Sequence, residues 1–171
     1  QVSGELSLEA ACALTAGAAI WQSVGVPQAE GPRFTMGDGP MGIASGNVDE
    51  RDVSLLSPCA TALGASWDVE VARKVGSVVG SDAAARGIDA VLAPNLNLAR
   101  SPLAGRAFEY FSEDPLLAGV LGAAWIEGLQ STGTGAVPKH LVCNDSETGR
   151  DYVNVTVDER TLREVYLLPF E

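Results

Sequence analysis

Residues 68–94 read DVEVARKVGSVVGSDAAARGIDAVLAP. Asp68 can cap a helix, because its carboxylate accepts the backbone N–H groups that a first turn leaves unpaired. Val71, Val75, Val78 and Val79 then fall at i, i+4, i+7 and i+8, which predicts one apolar stripe on a helix reaching about Arg86, with Gly87 as its stop. Asp89-Ala90-Val91-Leu92-Ala93 is a short, nearly continuous apolar run closed by Pro94, the pattern of a strand buried on both faces. A helix feeding a buried strand is half of a parallel βα repeat, and it directs the search for more on either side.

Upstream, Ser7 precedes a short helix from Leu8 that ends by Gly17. Arg33-Phe34-Thr35-Met36 reads as a strand entering the turn Gly37-Asp38-Gly39-Pro40, and residues 42–58 show no period, so they form a long loop. Downstream, a loop from Asn95 to Glu113 leads to Asp114-Pro115, an N-cap followed by proline at the first helical position. Leu117, Val120, Leu121, Ala124 and Leu129 form that helix's inner face, with Glu113-Asp114 serving its N-terminal dipole. Gly133 to Pro138 holds another short strand, and Asp158-Glu159-Arg160 opens a last helix with Leu162, Val165, Tyr166 and Leu168 inward.

Strand and helix thus alternate three times, which implies an α/β fold with a parallel sheet. A closed (β/α)8 barrel takes about 250 residues, so the expectation is a partial TIM barrel: about the first three βα units after an N-terminal leader. The competing architecture is a small open doubly wound sheet.

Composition narrows the functions. In 171 residues, 46% are hydrophobic and 19% charged, with mean hydropathy +0.14, which is enough to build a core. Asp and Glu exceed Lys and Arg by 22 to 11, and the net charge of −11 repels nucleic acid and anionic membrane surfaces. Cys12, Cys59 and Cys143 are far apart and form no zinc or disulfide pattern, and His140 is the only histidine, so neither a metal site nor a cofactor is expected. The apolar stretch Ala10 to Trp21 is too short to span a bilayer. No basic leader is visible, but the chain opens on Gln1 rather than Met, and its compartment is left open.

Ligand sites in α/β folds form at the carboxyl ends of strands. That rule selects Asp38 after the first strand, Arg100, Arg106 and Glu109 after the second, and Lys139, His140 and Arg150 after the third. One acid, several cations and one imidazole make a hydrogen-bonding cup for a polyhydroxylated ligand, whose hydroxyls both donate and accept. Taken singly, Asp38 could be a turn former and Arg106–Glu109 a surface ion pair. Lys139-His140, directly after an apolar strand, is poorly suited to a core. Two decoys are set aside. Gly37-Asp38-Gly39-Pro40-Met41-Gly42 fits G-x-G-x-x-G, but Ile43 to Asn47 lacks a helical period and Ser57-Pro58 stands where a ribose-binding acid belongs, so nucleotide binding is not expected. The sequons at Asn144 and Asn154 are short enough to arise by chance, and Asn144 lies too near the cup to carry a glycan.

Five segments carry a more specific pattern: Asp38-Gly39-Pro40, the run from Ser101 to Glu109, Phe111-Ser112-Glu113-Asp114-Pro115, the run from Lys139 to Arg150 and the run from Val157 to Tyr166. With these motifs the chain resembles glycoside hydrolase family 3, in its β-glucosidase branch, over essentially its whole length. The resemblance implies a barrel joined to a second α/β domain, and a retaining, exo-acting enzyme that removes terminal non-reducing β-D-glucosyl residues. Residues 1–171 would be the N-terminal portion of the barrel, with the nucleophilic Asp and the acid/base Glu beyond Glu171, hence a piece inactive by itself. By motif match Asp38, Arg106, Lys139, His140 and Arg150 line the −1 subsite, and the partner is a β-glucoside or oligosaccharide. Ala44 stands where the family commonly has arginine. The segment after His140 lacks the Gly-His-Gly type loop of the family's N-acetylglucosaminidases. The alternative function is a short, non-catalytic sugar-binding protein using the same pocket.

Overall fold

A computed structural model describes residues 7–25, 33–44, 51 and 53–171. Ser7 caps α1 (Leu8–Leu14), its hydroxyl accepting from the Ala10 N–H at 3.2 Å. An antiparallel pair, β1 (Gly17–Ala19) and β2 (Gln22–Ser23), follows without any alternation of polarity to announce it.

The central sheet has three parallel strands, β3 (Met36–Asp38), β4 (Ala90–Leu92) and β5 (Gly135–Ala136), in chain order. Met36 pairs with Ala90, Asp38 with Leu92 and Ala90 with Gly135. β3 therefore begins where the sequence reading ends its strand. The Thr35 N–H is taken by the Asp89 carboxylate at 2.7 Å, and β4 runs alongside only from Met36 onward. Asp38, expected in the turn, is the last residue of the strand.

Between β3 and β4 lie α2 (Ala60–Ser66) and α3 (Val69–Ala85), and between β4 and β5 lies α4 (Pro115–Gln130). Asp68 caps α3 through the N–H groups of Glu70 and Val71, and Gly87 ends it at φ +67°, as expected. Asp114 caps α4 through the Leu117 N–H at 2.9 Å. The stripe is different from the one the valines suggest. Val71 and Val78 are 37% and 48% exposed, whereas Ala72, Gly76, Val79, Gly80 and Ala83 are buried. The reason is backbone proximity: a Cβ on Gly76 would stand 2.0 Å from the Trp125 carbonyl oxygen, and one on Gly128 1.9 Å from that of Arg73. Only residues without side chains allow α3 and α4 to approach so closely, so the small residues set the contact face. Because α3 and α4 pack on each other, they lie on one side of the sheet.

Trp125, Leu121, Leu129, Leu98 and Val91 fill the core beneath them. α2, which has no amphipathic period, is seated by Gly64, where a Cβ would meet the Phe111 carbonyl oxygen at 1.7 Å. Of the long loop expected over 42–58, residues 53–59 are irregular and 45–50 and 52 lie outside the described residues. The last helix is not continuous. One α-turn, α5 (Glu159–Thr161), widens into a π-turn over Leu162–Tyr166 and then a 3-10 turn over Leu168–Phe170. Pro169 has no N–H to continue an α-helical ladder. Tyr166 is buried as expected, but Leu168 is 37% exposed. The result is a mixed α/β fold, and among the described residues no helix is long and apolar enough to cross a membrane.

Candidate functional site

The three parallel strands all end on one side, and the loops leaving them meet there. Asp38 closes β3, and the Lys139 Nζ donates to its Oδ1 at 2.6 Å across 101 residues of chain. Asp38 is held in place by its own turn, since its Oδ1 also accepts from the Gly39 N–H at 3.0 Å. Gly39 takes φ +129°, and a Cβ there would stand 1.7 Å from the Gly42 carbonyl oxygen, so the turn requires glycine. Past this turn Ala44 bridges back to Asp38 in antiparallel fashion instead of starting a helix, which removes the structural context of the dinucleotide motif.

The loop after β4 supplies Arg106. Its Nε and Nη2 donate to Glu109 Oε1 and Oε2 at 2.9 and 2.8 Å, a bidentate pair. The Glu109 side chain is only 8% exposed, so this is an interior ion pair and not the surface pair that spacing allowed. Burial opposes the Arg106 charge. The hydrogen bonds and charge of Glu109, with Glu147 and Asp38 behind them, outweigh it and raise the guanidinium pKa.

The loop after β5 supplies Lys139 and His140, whose shared peptide bond is cis. It is locked onto the preceding loop through its backbone. Leu96 N–H donates to the Lys139 carbonyl at 2.6 Å, and the Asn97 side chain donates to the His140 carbonyl while accepting the His140 N–H, at 3.0 and 3.1 Å. Arg106 Nη1 reaches His140 Nε2 at 2.9 Å. Burial, then the charges of Arg106 and Lys139, lower the His140 pKa to about 4, so the ring is neutral at physiological pH.

Asp38, Arg106, Lys139, His140 and Arg150 line one cavity of about 880 Å³. Leu92, Phe108, Glu109, Val137, Asn144 and Asp151 complete its lining. Arg100, selected with them from the sequence, lies elsewhere. It hydrogen-bonds the Tyr166 hydroxyl and lines an adjoining cavity of about 520 Å³, because Tyr166 on the π-turn draws it away from the cup. Asn144 does lie at the cup, as expected, and its side chain is spent on Glu147.

Three residues escaped the sequence reading. Asn95 donates to Glu109 Oε2 at 3.2 Å and accepts from the Asn97 N–H at 3.0 Å. Both asparagines are 1% exposed, and the alternation Asn95-Leu96-Asn97-Leu98 inside an apolar run was the available signal. Glu147 bonds Arg150 and Asn144 and stands 3.7 Å from Arg106. It lies inside the motif over residues 139–150, and its spacing of three to Arg150 was the available signal. Chemically, the cup pairs donor-only cations with acceptor-only carboxylates, the two kinds of partner a hydroxyl can use at once. Among the described residues no three His, Cys, Asp or Glu side chains are grouped to hold a metal ion.

A model of the glycosyl hydrolase family 3 N terminal domain matches residues 43–171. A probable β-glucosidase I of Neosartorya fischeri is 44% identical over 98% of this chain, which spans 20% of that relative's length. Among solved structures, a β-glucosidase of Kluyveromyces marxianus superposes with TM-score 0.92 at 35% identity, covering 97% of this chain and 20% of its own. A β-glucosidase of Thermotoga neapolitana, solved in complex with glucose, gives 0.82 at 39% identity over 87% of this chain and 21% of its own. The chain therefore spans about a fifth of the length of the proteins it matches.

Proposed function

The chain belongs to glycosyl hydrolase family 3, and from that we propose that its cup is the −1 subsite of a retaining, exo-acting β-glucosidase that removes terminal non-reducing β-D-glucosyl residues. The observation that carries the reading is the convergence of Asp38, Arg106, Lys139, His140 and Arg150 on one cavity at the carboxyl ends of three in-order parallel strands. Glucose bound in the Thermotoga relative supports the ligand class. In this reading Asp38 and Lys139 hold outer hydroxyls of the sugar together, the carboxylate accepting and the ammonium donating. Arg106 donates from a fixed position, and contacts of this kind strengthen as the ring flattens toward an oxocarbenium ion.

The sheet order also supports the opening βα units of a (β/α)8 barrel. Neighbours in the sheet are neighbours in the chain, with no reversal such as a doubly wound fold places at its ligand site. Double displacement uses two carboxyl groups about 5–5.5 Å apart. In the reading proposed here both come from sequence outside residues 1–171, and the cup contributes binding.

The test uses the full-length protein and residues 1–171 in parallel on an aryl β-glucoside, with glucose titrated into each. Hydrolysis by the full-length protein and glucose binding without turnover by residues 1–171 are expected. Lys139→Ala should lower kcat/KM by at least about tenfold, as losing a charged hydrogen bond does. Hydrolysis by residues 1–171 would sink the assignment of the carboxylates, and a full-length protein inert on β-glucosides would sink the activity.

A further inference from the structure

Two arginines face the cup, and they are anchored differently. Arg106 spends two nitrogens on Glu109 and a third on His140, so its position is set three ways even before Glu147 is counted. Arg150 is more exposed, 55% at its side chain, and has one close tie: Nη1 donates to Glu147 Oε2 at 2.9 Å. Asp151 stands at 4.0 Å, at the limit of an ion pair, and is 79% exposed.

Glu147 differs from Asp38, Glu109 and Asp151. It does not line the cup, and its side chain is 21% exposed. Its Oε1 accepts from Asn144 Nδ2 at 3.1 Å and stands 3.7 Å from Arg106 Nη1, while Oε2 takes Arg150. Its stem lies against the loop after β4, where a Cβ on Gly105 would touch Glu147 Cβ and Cγ at 3.2 Å. One carboxylate therefore spans both loops from behind the two arginines.

We propose that Glu147 is a positioning residue of the sugar site: it fixes the reach of Arg150 into the cup by tying it to the Arg106 loop. This rests on the proposed sugar subsite and adds a residue that touches no substrate. The anchoring asymmetry gives it a specific signature, since removing the Glu147 carboxylate as a whole releases Arg150 and leaves Arg106 on Glu109. A long guanidinium side chain without a partner regains its rotamer freedom, and binding a sugar must then order it again.

The experiment is a double-mutant cycle in the full-length protein, with Glu147→Ala, Arg150→Ala and the pair, read as kcat and KM on an aryl β-glucoside. Glu147→Ala is expected to raise KM about tenfold with a smaller change in kcat. In the Arg150→Ala background it should change neither. Independent, multiplying losses would overturn the proposal, because Glu147 would then act without Arg150. A crystal structure of Glu147→Ala gives a readout that does not depend on activity: Arg150 should leave its place while Arg106 keeps both bonds to Glu109. An unmoved Arg150 would overturn the proposal even if the protein hydrolyses β-glucosides. A displaced Arg150 in a protein inert on them would sustain the anchoring role and reject the activity instead.

Discussion

Arg106 Nη1 stands 2.9 Å from Nε2 of His140, a group that can only donate facing a ring nitrogen. Nε2 must therefore accept, and the proton of the neutral imidazole sits on Nδ1. Nitrogen-15 spectra of the protein should show the Nδ1–H tautomer for its single histidine and no titration until pH approaches 4. In Arg106→Ala the ring loses both the donor and the second largest cause of its lowered pKa, so its titration should move up toward the ordinary value. Burial, the largest cause, remains and keeps the shift incomplete.

Folding stability should carry the same signature. Above pH 6.5 the ring is neutral in folded and unfolded chains alike, so the group contributes no slope. Between 6.5 and about 4 the unfolded chain takes up a proton that the folded chain refuses, and stability falls as pH falls. Below 4 both hold it and the loss stops. His140→Gln, whose amide oxygen can still accept from Arg106, should be less sensitive than wild type over this window. The difference in urea unfolding free energy between pH 7.5 and pH 4 should be on the order of 2 kcal/mol smaller in the variant.

The α3–α4 contact makes a sharper prediction about packing. Gly76→Ala or Gly128→Ala forces a methyl group into a carbonyl oxygen at 2.0 or 1.9 Å, and the helices must separate. A loss of about 3 kcal/mol is expected from such overpacking. Gly87→Ala meets nothing within 4 Å and pays only for its left-handed backbone, about 1 kcal/mol. Urea denaturation of the three variants should rank them in that order, and equal losses would argue against the close approach.

What could be read ahead of the structure was what depends on local chemistry. Asp68, Asp114 and Ser7 cap their helices because capping is decided within three residues. The apolar run of β4 marks a strand because both of its faces are covered. The Val71 and Val78 stripe misled because hydrophobicity says nothing of how closely two backbones can approach, and glycines decided the contact instead. α2 carries no period at all and is fixed by its seat on the Phe111 carbonyl, a contact 47 residues away. That Asp38, Arg106, Lys139, His140 and Arg150 would share one cavity was legible because strand ends and motifs both point to them. That Arg100 would turn aside from this cavity was not, because its partner, Tyr166, lies 66 residues downstream. The approach of Glu147 to Arg106 was invisible for a similar reason, since Arg106 belongs to a different loop.

The pairing inside the cup has a consequence for which sugars it can admit. Lys139 is matched by Asp38 and Arg106 by Glu109, Arg150 is matched by Glu147 outside the lining, and Asp151 adds one exposed charge, so the site is close to electroneutral although the chain carries a net charge of −11. An uncharged sugar can exchange hydrogen bonds with each pair without importing or expelling an ion, and its affinity should change little with ionic strength. A phosphorylated or uronic sugar would approach through a repulsive field and would have to part a cation from its carboxylate before gaining a partner. In the sugar site proposed above, this charge balance favours neutral glycosides before any individual hydroxyl is recognised.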